Sequence, residues 1–515
     1  FGPQQTVYMR FASPPLFCGQ GCGEDRPPRI EPGCMGAEEE LPSVYVVDLS
    51  RDQAGEFVGF DTGVPFSWQA SRGDRPYICG PWIGIRPDPS ASHSSLGWKP
   101  GRTYAVFVHS RVRGCDGEVR VVSSQDVNFA SALDSGLPAA QRDQVWQAYL
   151  PLRQWLSSSP SYPDGGRVRP EDLLGAAVFT VRDPSEAMHR VAAQGELSNE
   201  SANSPFRVSD LIECTALECR SELFRAYLGR LELPAFQVGN APFSDGEGQI
   251  DVTADGVVLS TGSEVVTISV SIPKTDMPAK GWPVAVYGHG TGGDALSQFR
   301  DGISSELAGI ETDDGVARFA VVSIEQVGHG ERRGSADLDP ELLAWSLNNP
   351  GARRGLRLQA AADQLAVARS LPRLSAELER AFGSRDMRLN PERIAWFGHS
   401  QGGEAQVLAV ATLTGDAPLV LSGVGGARME RWSEKSRPYR SSEVLRSALA
   451  DASMDDVRYH PVVSLLQGYL EEVDPLVFAQ RLARGCRAGG GERRVLQLIG
   501  EGDRVTPNTS SLALA

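Results

Sequence analysis

The ten residues Ile394-Ala-Trp-Phe-Gly-His-Ser-Gln-Gly-Gly403 place a serine between an apolar run and a small-residue helical run, Ala405 to Ala411. Gly398 and Gly402 stand two before and two after Ser400, giving the pattern G-x-S-x-G. A strand that turns directly into a helix strains the residue at the corner. Only small neighbours let the two elements approach, and the hydroxyl then stands clear of the sheet at a helix start. The chemistry this suggests is nucleophilic attack by Ser400. A second run, Tyr287-Gly-His-Gly-Thr-Gly-Gly293, also follows an apolar stretch. Its glycines permit the backbone path that aims N–H groups at a developing oxyanion, with Gly290 and Thr291 at the turn and the amide of Gln401 as the second donor. The run lacks the GK[ST] ending of a phosphate-binding loop.

A third element, Leu498-Ile-Gly-Glu-Gly-Asp-Arg-Val-Thr-Pro507, runs a strand into a glycine-rich loop. Asp503 is the carboxylate expected to orient a histidine, with Glu501 as the alternative. Asp474 reads better as the N-cap of the helix that Pro475 begins. The histidines lie at 93, 109, 189, 289, 329, 399 and 460, and none follows Asp503. His289 and His399 belong to the glycine motifs and His329 to Val327-Gly-His-Gly-Glu331, where a structural role is expected. His460, between nucleophile and acid, is the alternative base. The order Ser400 then Asp503 leads instead to the expectation of a histidine beyond Ala515, after one more strand, with a separate C-terminal fragment as one way to supply it.

Positioning these residues requires a sheet. From about 280 onward, apolar runs at Val284 to Tyr287, Phe319 to Ile324, Ile394 to Phe397, Leu419 to Leu421 and Val495 to Ile499 alternate with helical stretches. Those stretches are at about 294–308, 355–371, 402–413, 441–451 and 475–484. Apolar strands separated by helices predict a mainly parallel sheet covered on both faces. Around Thr267, Val266, Ile268, Val270 and Ile272 alternate with Ser269 and Ser271, which predicts a half-buried strand. The predicted domains are a Cys/Pro/Gly-rich arm at 1–40, a β-sandwich-like domain at 41–135, a mixed connecting region at 136–264 and an α/β domain at 265–515. Short β runs at Tyr45, Tyr104 to Val108 and Val119 to Val122 mark the second of these. In the third, Val145, Tyr149, Leu152 and Leu156 recur at helical spacing, Glu171 to Ala177 reads as a short helix and Val178 to Val181 as a strand. Residues 425–490 are the expected lid, in which Val462, Val463, Leu466 and Tyr469 could line an acyl pocket or form the buried side of a helix.

The chain has 515 residues, 41% of them hydrophobic, which suits two to four globular domains. No run of about 18 apolar residues suggests a membrane span. With 50 Lys and Arg against 65 Asp and Glu, a net charge of −15, a general affinity for nucleic acid or anionic lipid is not expected. Cysteines lie at 18, 22, 34, 79, 115, 214, 219 and 486. They lack zinc spacing, Cys214 and Cys219 are close enough for a local bridge, and the clustering favours an oxidising, exported location.

With these motifs in hand, residues 281–515 resemble the α/β-hydrolase superfamily. The whole chain is similar to exported bacterial lipases and esterases of the virulence-factor lipase type, which carry an immunoglobulin-like N-terminal region. The resemblance rests on Gly288-His-Gly-Thr-Gly-Gly293, Val327-Gly-His-Gly-Glu-Arg332, Gly398-His-Ser-Gln-Gly-Gly403 and Gly500-Glu-Gly-Asp-Arg-Val-Thr-Pro507. It implies Ser400 as nucleophile, Asp503 as acid, and an oxyanion hole at Gln401 with Gly290 and Thr291. The implied activity is hydrolysis of small-molecule or lipid-like esters without metal or organic cofactor. Two alternatives stay open: a peptidase or amidase of the same fold, and a binding or adhesion protein whose hydrolase-like half is inactive.

Overall fold

Short runs of β-branched and aromatic residues dominate the first third of the chain, and most of them pair. The computed structural model describes residues 1–11, 15–16, 44–71, 77, 82–88, 97–110, 113–114, 127–197, 206–243, 246–313, 315–335, 337–345, 349–383, 385–438, 440–449, 457–484 and 493–515. The expected strand at 119–122, most of the 1–40 arm, His93 and six of the cysteines lie outside the described residues. The other two, Cys214 and Cys219, form a disulfide. The chain divides into two compact units. The first is Phe1–Pro184 with Ala427–Glu471, and the second is Ser185–Gly426 with Glu472–Ala515. The boundaries differ from the predicted ones: the connecting region is shared between the units, and most of the expected lid falls in the first.

In the first unit, β1 (Val7–Arg10), β4 (Phe66–Ser71) and β5 (Trp82–Pro87) form an antiparallel sheet in the order β1-β5-β4. A second antiparallel sheet is built from β2 (Val44–Arg51), β3 (Phe57–Phe60), β6 (Thr103–His109) and β7 (Leu173–Thr180), in the order β3-β2-β6-β7. Side-chain alternation buries both faces of this second sheet. Val46, Tyr104, Val106 and Val108 join Met9, Trp68, Ile83 and Ile85 in one core. Tyr45, Val47, Ala105 and Phe107 join Leu152, Trp155 and Leu156 in another.

Two expectations are corrected here. Residues 173–177, predicted helical, are the start of β7, where Phe107 pairs with Ala176 and Val106 with Ala177. Pairing against a buried strand outweighs the modest helical preference of Leu and Ala. The helical run from Val145 is broken at Tyr149 into α1 (Gln144–Ala148) and α2 (Leu150–Ser157), with Pro151 in the first turn of α2. Leu152 and Leu156 are buried, whereas Val145, on the separate first piece, is exposed.

The second unit holds an eight-stranded mixed sheet with helices. Its strands are β8 (Val208–Glu213), β9 (Phe224–Ala235), β10 (Gly262–Pro273), β11 (Trp282–Gly288), β12 (Ala320–Ile324), β13 (Leu389–His399), β14 (Leu419–Ser422) and β15 (Val495–Leu498). They lie in the order β8-β9-β10-β12-β11-β13-β14-β15. The last five in that order are mutually parallel, and β8, β9 and β10 join antiparallel. β10 is buried on both faces and not one, because Ser269 accepts from Gln298 Nε2 and its hydroxyl bonds Ala295 O beneath a short helix. Helix α3 (Glu186–Leu197) opens the unit. The long helix α4 (Pro350–Phe382) starts at an Asn349 side-chain cap, runs through Pro372 past its predicted end, and stops at Gly383 with φ 63°. No helix among the described residues is long and apolar enough to cross a membrane.

A buried ion-pair network ties α4 to the sheet. Arg332 Nη1 lies 2.7 Å from Asp363 Oδ2, and Arg332 Nη2 lies 2.7 Å from Glu264 Oε2. The same Nη1 also donates to Glu325 O. Burial pushes the Asp363 carboxyl upward, against the guanidinium that favours its charge. Replacing Arg332 by Leu should therefore cost about 3–5 kcal/mol in urea unfolding, because Asp363 is left buried without its cation. The double change Arg332→Leu/Asp363→Leu should recover most of that loss. A single variant as stable as wild type would contradict the network's role.

Candidate active site

Ser400 sits where β13 ends and α5 (Gln401–Val410) begins, with φ 49° and ψ −117°. A positive φ at a residue with a side chain is rare and strained, by about 1–3 kcal/mol. Its N–H donates to Ser422 O on the neighbouring strand and its carbonyl accepts from Glu404 N, at 2.8 and 3.0 Å. The turn is tight enough that a Cβ on Gly398 would lie 2.3 Å from Gly403 Cα, and one on Gly402 would lie 2.2 Å from the Gly288 carbonyl. These glycines are required by contact.

The loop after β11 lies against this corner. A Cβ on Gly290 would be 3.4 Å from Ser400 Cβ and 2.7 Å from His399 Cδ2. Thr291 Oγ1 donates to Gln401 Oε1 at 2.8 Å, so the side chains of two candidate oxyanion donors are tied together. The Gln401 amide is the first of α5 and has no acceptor within the helix. The start of α5 and the Gly290 turn thus both lie beside the serine.

Two histidines, His289 and His329, hold this loop in place. His289 is fully buried; its Nδ1 lies 2.9 Å from Gly290 O and its Nε2 accepts from Gln326 N at 3.2 Å. Gln326 Nε2 donates in return to His289 O. His329, also fully buried, accepts from Gly292 N through Nε2 at 3.1 Å, while its Nδ1 faces Val327 O at 3.2 Å. In both rings the partners assign the proton to Nδ1. The rings meet edge to face at 4.9 Å. Burial lowers His289 to about 4; burial and then His289 lower His329 to about 3. Both are neutral struts, the structural role expected of them. Sequence reasoning missed Gln326, whose signal was only its position just after an apolar strand. It also missed Glu325 beside it, which burial and then Asp294 push up to about 7.

Asp503 lies in the loop after β15. Its Oδ1 accepts from Val505 N and Thr506 N at 2.8 and 2.9 Å, which fixes the carboxylate. Its Oδ2 is 4.0 Å from where a Cβ on Gly423 would stand, and His399 Cε1 is 3.6 Å from that same point. Glu501 is exposed in the turn. Asp474 caps the following helix, Oδ1 accepting from Leu476 N. The structure thus brings Ser400, Gln401, Gly290 and Thr291 together and sets Asp503 at the same strand ends.

His460, Val462, Val463, Leu466 and Tyr469 belong to the first unit. His460 caps α6 (Pro461–Leu470), its Nδ1 accepting from Val462 N, with its ring against Tyr77. Val463 is buried and Ser464 accepts from Thr6 N, so at least one side of this helix is packed within its own unit. Among the described residues no cluster of His, Cys, Asp and Glu could hold a metal ion.

No family model and no curated protein matches the chain. Among solved structures it is similar to the acetyl xylan esterase from Paenibacillus sp. R4, at 17% identity over 64% of this chain and 83% of that one, TM-score 0.37. Acetyl xylan esterase 1 from Thermoanaerobacterium sp. JW/SL YS485 gives 15%, 64%, 82% and 0.37. A puromycin-hydrolyzing peptidase from Mycobacterium tuberculosis gives 16%, 56%, 40% and 0.29. The functional reading rests on the site geometry and not on these likenesses.

The depressed imidazoles make stability pH-dependent. Above pH 6.5 both are neutral folded or unfolded, and the full contribution is present. Between 6.5 and about 4, only the unfolded chain takes up the protons. Stability should fall there by about 1.4 kcal/mol per pH unit for each ring. Urea titrations at several pH values, compared with His329→Gln, should show a shallower slope in the variant. Identical slopes would show that His329 is not held neutral.

Proposed function

We propose that the chain is a serine hydrolase of carboxylic esters that works through an acyl-enzyme on Ser400. The observation that carries the reading is Ser400 held at φ 49° between strand and helix, with the Gly290 turn against it. The Ser400 oxygen attacks the ester carbonyl and its proton passes to a base. The amides of Gln401 and Thr291 stabilise the oxyanion, the alkoxide leaves with a proton from that base, and water then releases the acid. Asp503 orients the base.

The base in this reading is a histidine. His289, His329 and His460 are engaged in bonds of their own, and His399 Nδ1 faces Ser422 Oγ at 3.2 Å. The substrate is a small-molecule or lipid-like ester. An exported location is supported by the Cys214–Cys219 bridge, since such bonds persist in oxidising compartments.

A fluorophosphonate should label Ser400 in the protein. Ser400→Ala should abolish labelling and lower ester turnover by a factor on the order of a thousand or more without unfolding the chain. His399→Gln and His460→Gln should each keep labelling within about threefold; loss in either variant assigns the base to that residue. Turnover that survives Ser400→Ala overturns the reading, and a faster rate on anilides than on matched esters turns it toward a peptidase.

A further inference from the structure

The first unit contains a cleft of about 590 Å³ on the side of β2 and β3 where α1 and α2 begin and end. Its volume is that of a small-molecule site. Arg51 and Glu56 come from the β2–β3 hairpin, Arg142 from the turn before α1, and Trp146 and Arg153 from the two helices. Three arginines in one cleft of a chain with net charge −15 need an explanation.

Several arginines elsewhere face carboxylates: Arg332 meets Asp363 and Glu264, Arg354 meets Glu472, and Arg230 meets Glu331. In the cleft the guanidiniums bond only neutral groups. Arg51 donates to Gly55 O, Arg142 to Leu137 O, and Arg153 Nη1 to Ala132 O. Arg142 and Arg153 both stack on Trp146, at 4.5 and 3.7 Å from its ring centre. Arg153 is only 5% exposed, and its Nη2 has no hydrogen-bond partner among the described residues. A buried cation flanked by another cation, with no carboxylate on either, is costly unless an anion completes it. The ring fixes the stacked guanidiniums, so little side-chain freedom remains to be lost when a ligand arrives.

The apolar part of the wall comes from half-buried Phe57 and from Leu150, which is 40% exposed. We propose that this cleft binds an organic carboxylate, its head on the guanidiniums of Arg142, Arg153 and Arg51 and its apolar body against Leu150 and Phe57. A planar fork matches a carboxylate with two parallel hydrogen bonds. The proposal does not depend on the hydrolase reading.

Calorimetry on the whole chain with decanoate, and with decanol as the neutral probe of the same body, tests this. Decanoate should bind saturably, decanol at least tenfold more weakly, and decanoate affinity should fall as salt is raised. Arg51 and Arg142 are exposed, so Arg51→Gln/Arg142→Gln should keep the fold, which circular dichroism checks, and should weaken decanoate at least tenfold. Ser400→Ala should leave that affinity unchanged, which separates this site from an acyl pocket. Equal binding of decanol, or undiminished decanoate binding in the double variant, overturns the proposal.

Discussion

The second unit depends on one constraint, the left-handed backbone of Ser400. That conformation requires β13 to stop and α5 to start without a connecting loop, so the strand and helix backbones must nearly touch. They do so at Gly402 against Gly288 and at Gly398 against Gly403. The sheet register then decides what else reaches the corner. Gly288 pairs with Gly398, His399 with Ser422, and Ser422 with Leu498. Two adjacent rows of partners therefore line up the carboxyl ends of four strands. The loop holding Gly290 and Thr291, the Ser400 corner and the Asp503 loop all leave the sheet from these rows, and loops at the carboxyl ends of parallel strands are where sites are found.

Loops leaving a sheet edge must satisfy their own backbone groups. Here two neutral imidazoles do so, each accepting at Nε2 from a backbone N–H and facing a carbonyl through Nδ1. A cationic ring could not accept, so the burial that keeps them neutral is also what makes them fit as struts. The arrangement fixes the 288–293 loop through the loop after β12, and neither ring is left with a free nitrogen for proton transfer.

The motifs around Ser400, Thr291 and Asp503 were legible because glycine between an apolar strand and a helix has few other uses, and the five parallel strands were legible because they are apolar on both faces. What was not legible depended on partners distant in the chain. Leu173 to Ala177 is helical by composition but is a strand because β6 lies beside it. Ser269 and Ser271 look solvent-facing until Gln298 covers the serine side. Gln326 carries no motif at all, and its role exists only because His289 is folded against it. The break at Tyr149 comes from Pro151, and its consequence is that Val145 turns outward.

The strain at Ser400 must be offset nearby, and α5 is where that happens. All ten of its residues are buried, between the sheet on one side and α4 on another. Burying Val407, Leu408 and Val410 contributes roughly 1.5–3 kcal/mol each, against the roughly 1–3 kcal/mol of a strained φ. Glu404 and Gln406 are buried there as well, and both are partnered. Glu404 lies 3.4 Å from Arg357 of α4, and Gln406 donates to Val286 O on β11. The helix that begins at Ser400 is therefore bonded both to the sheet and to α4. A shift of α5 large enough to relax Ser400 would break those bonds and open its apolar contacts, so the corner is held by the helix that follows it and not by the residues of the turn alone.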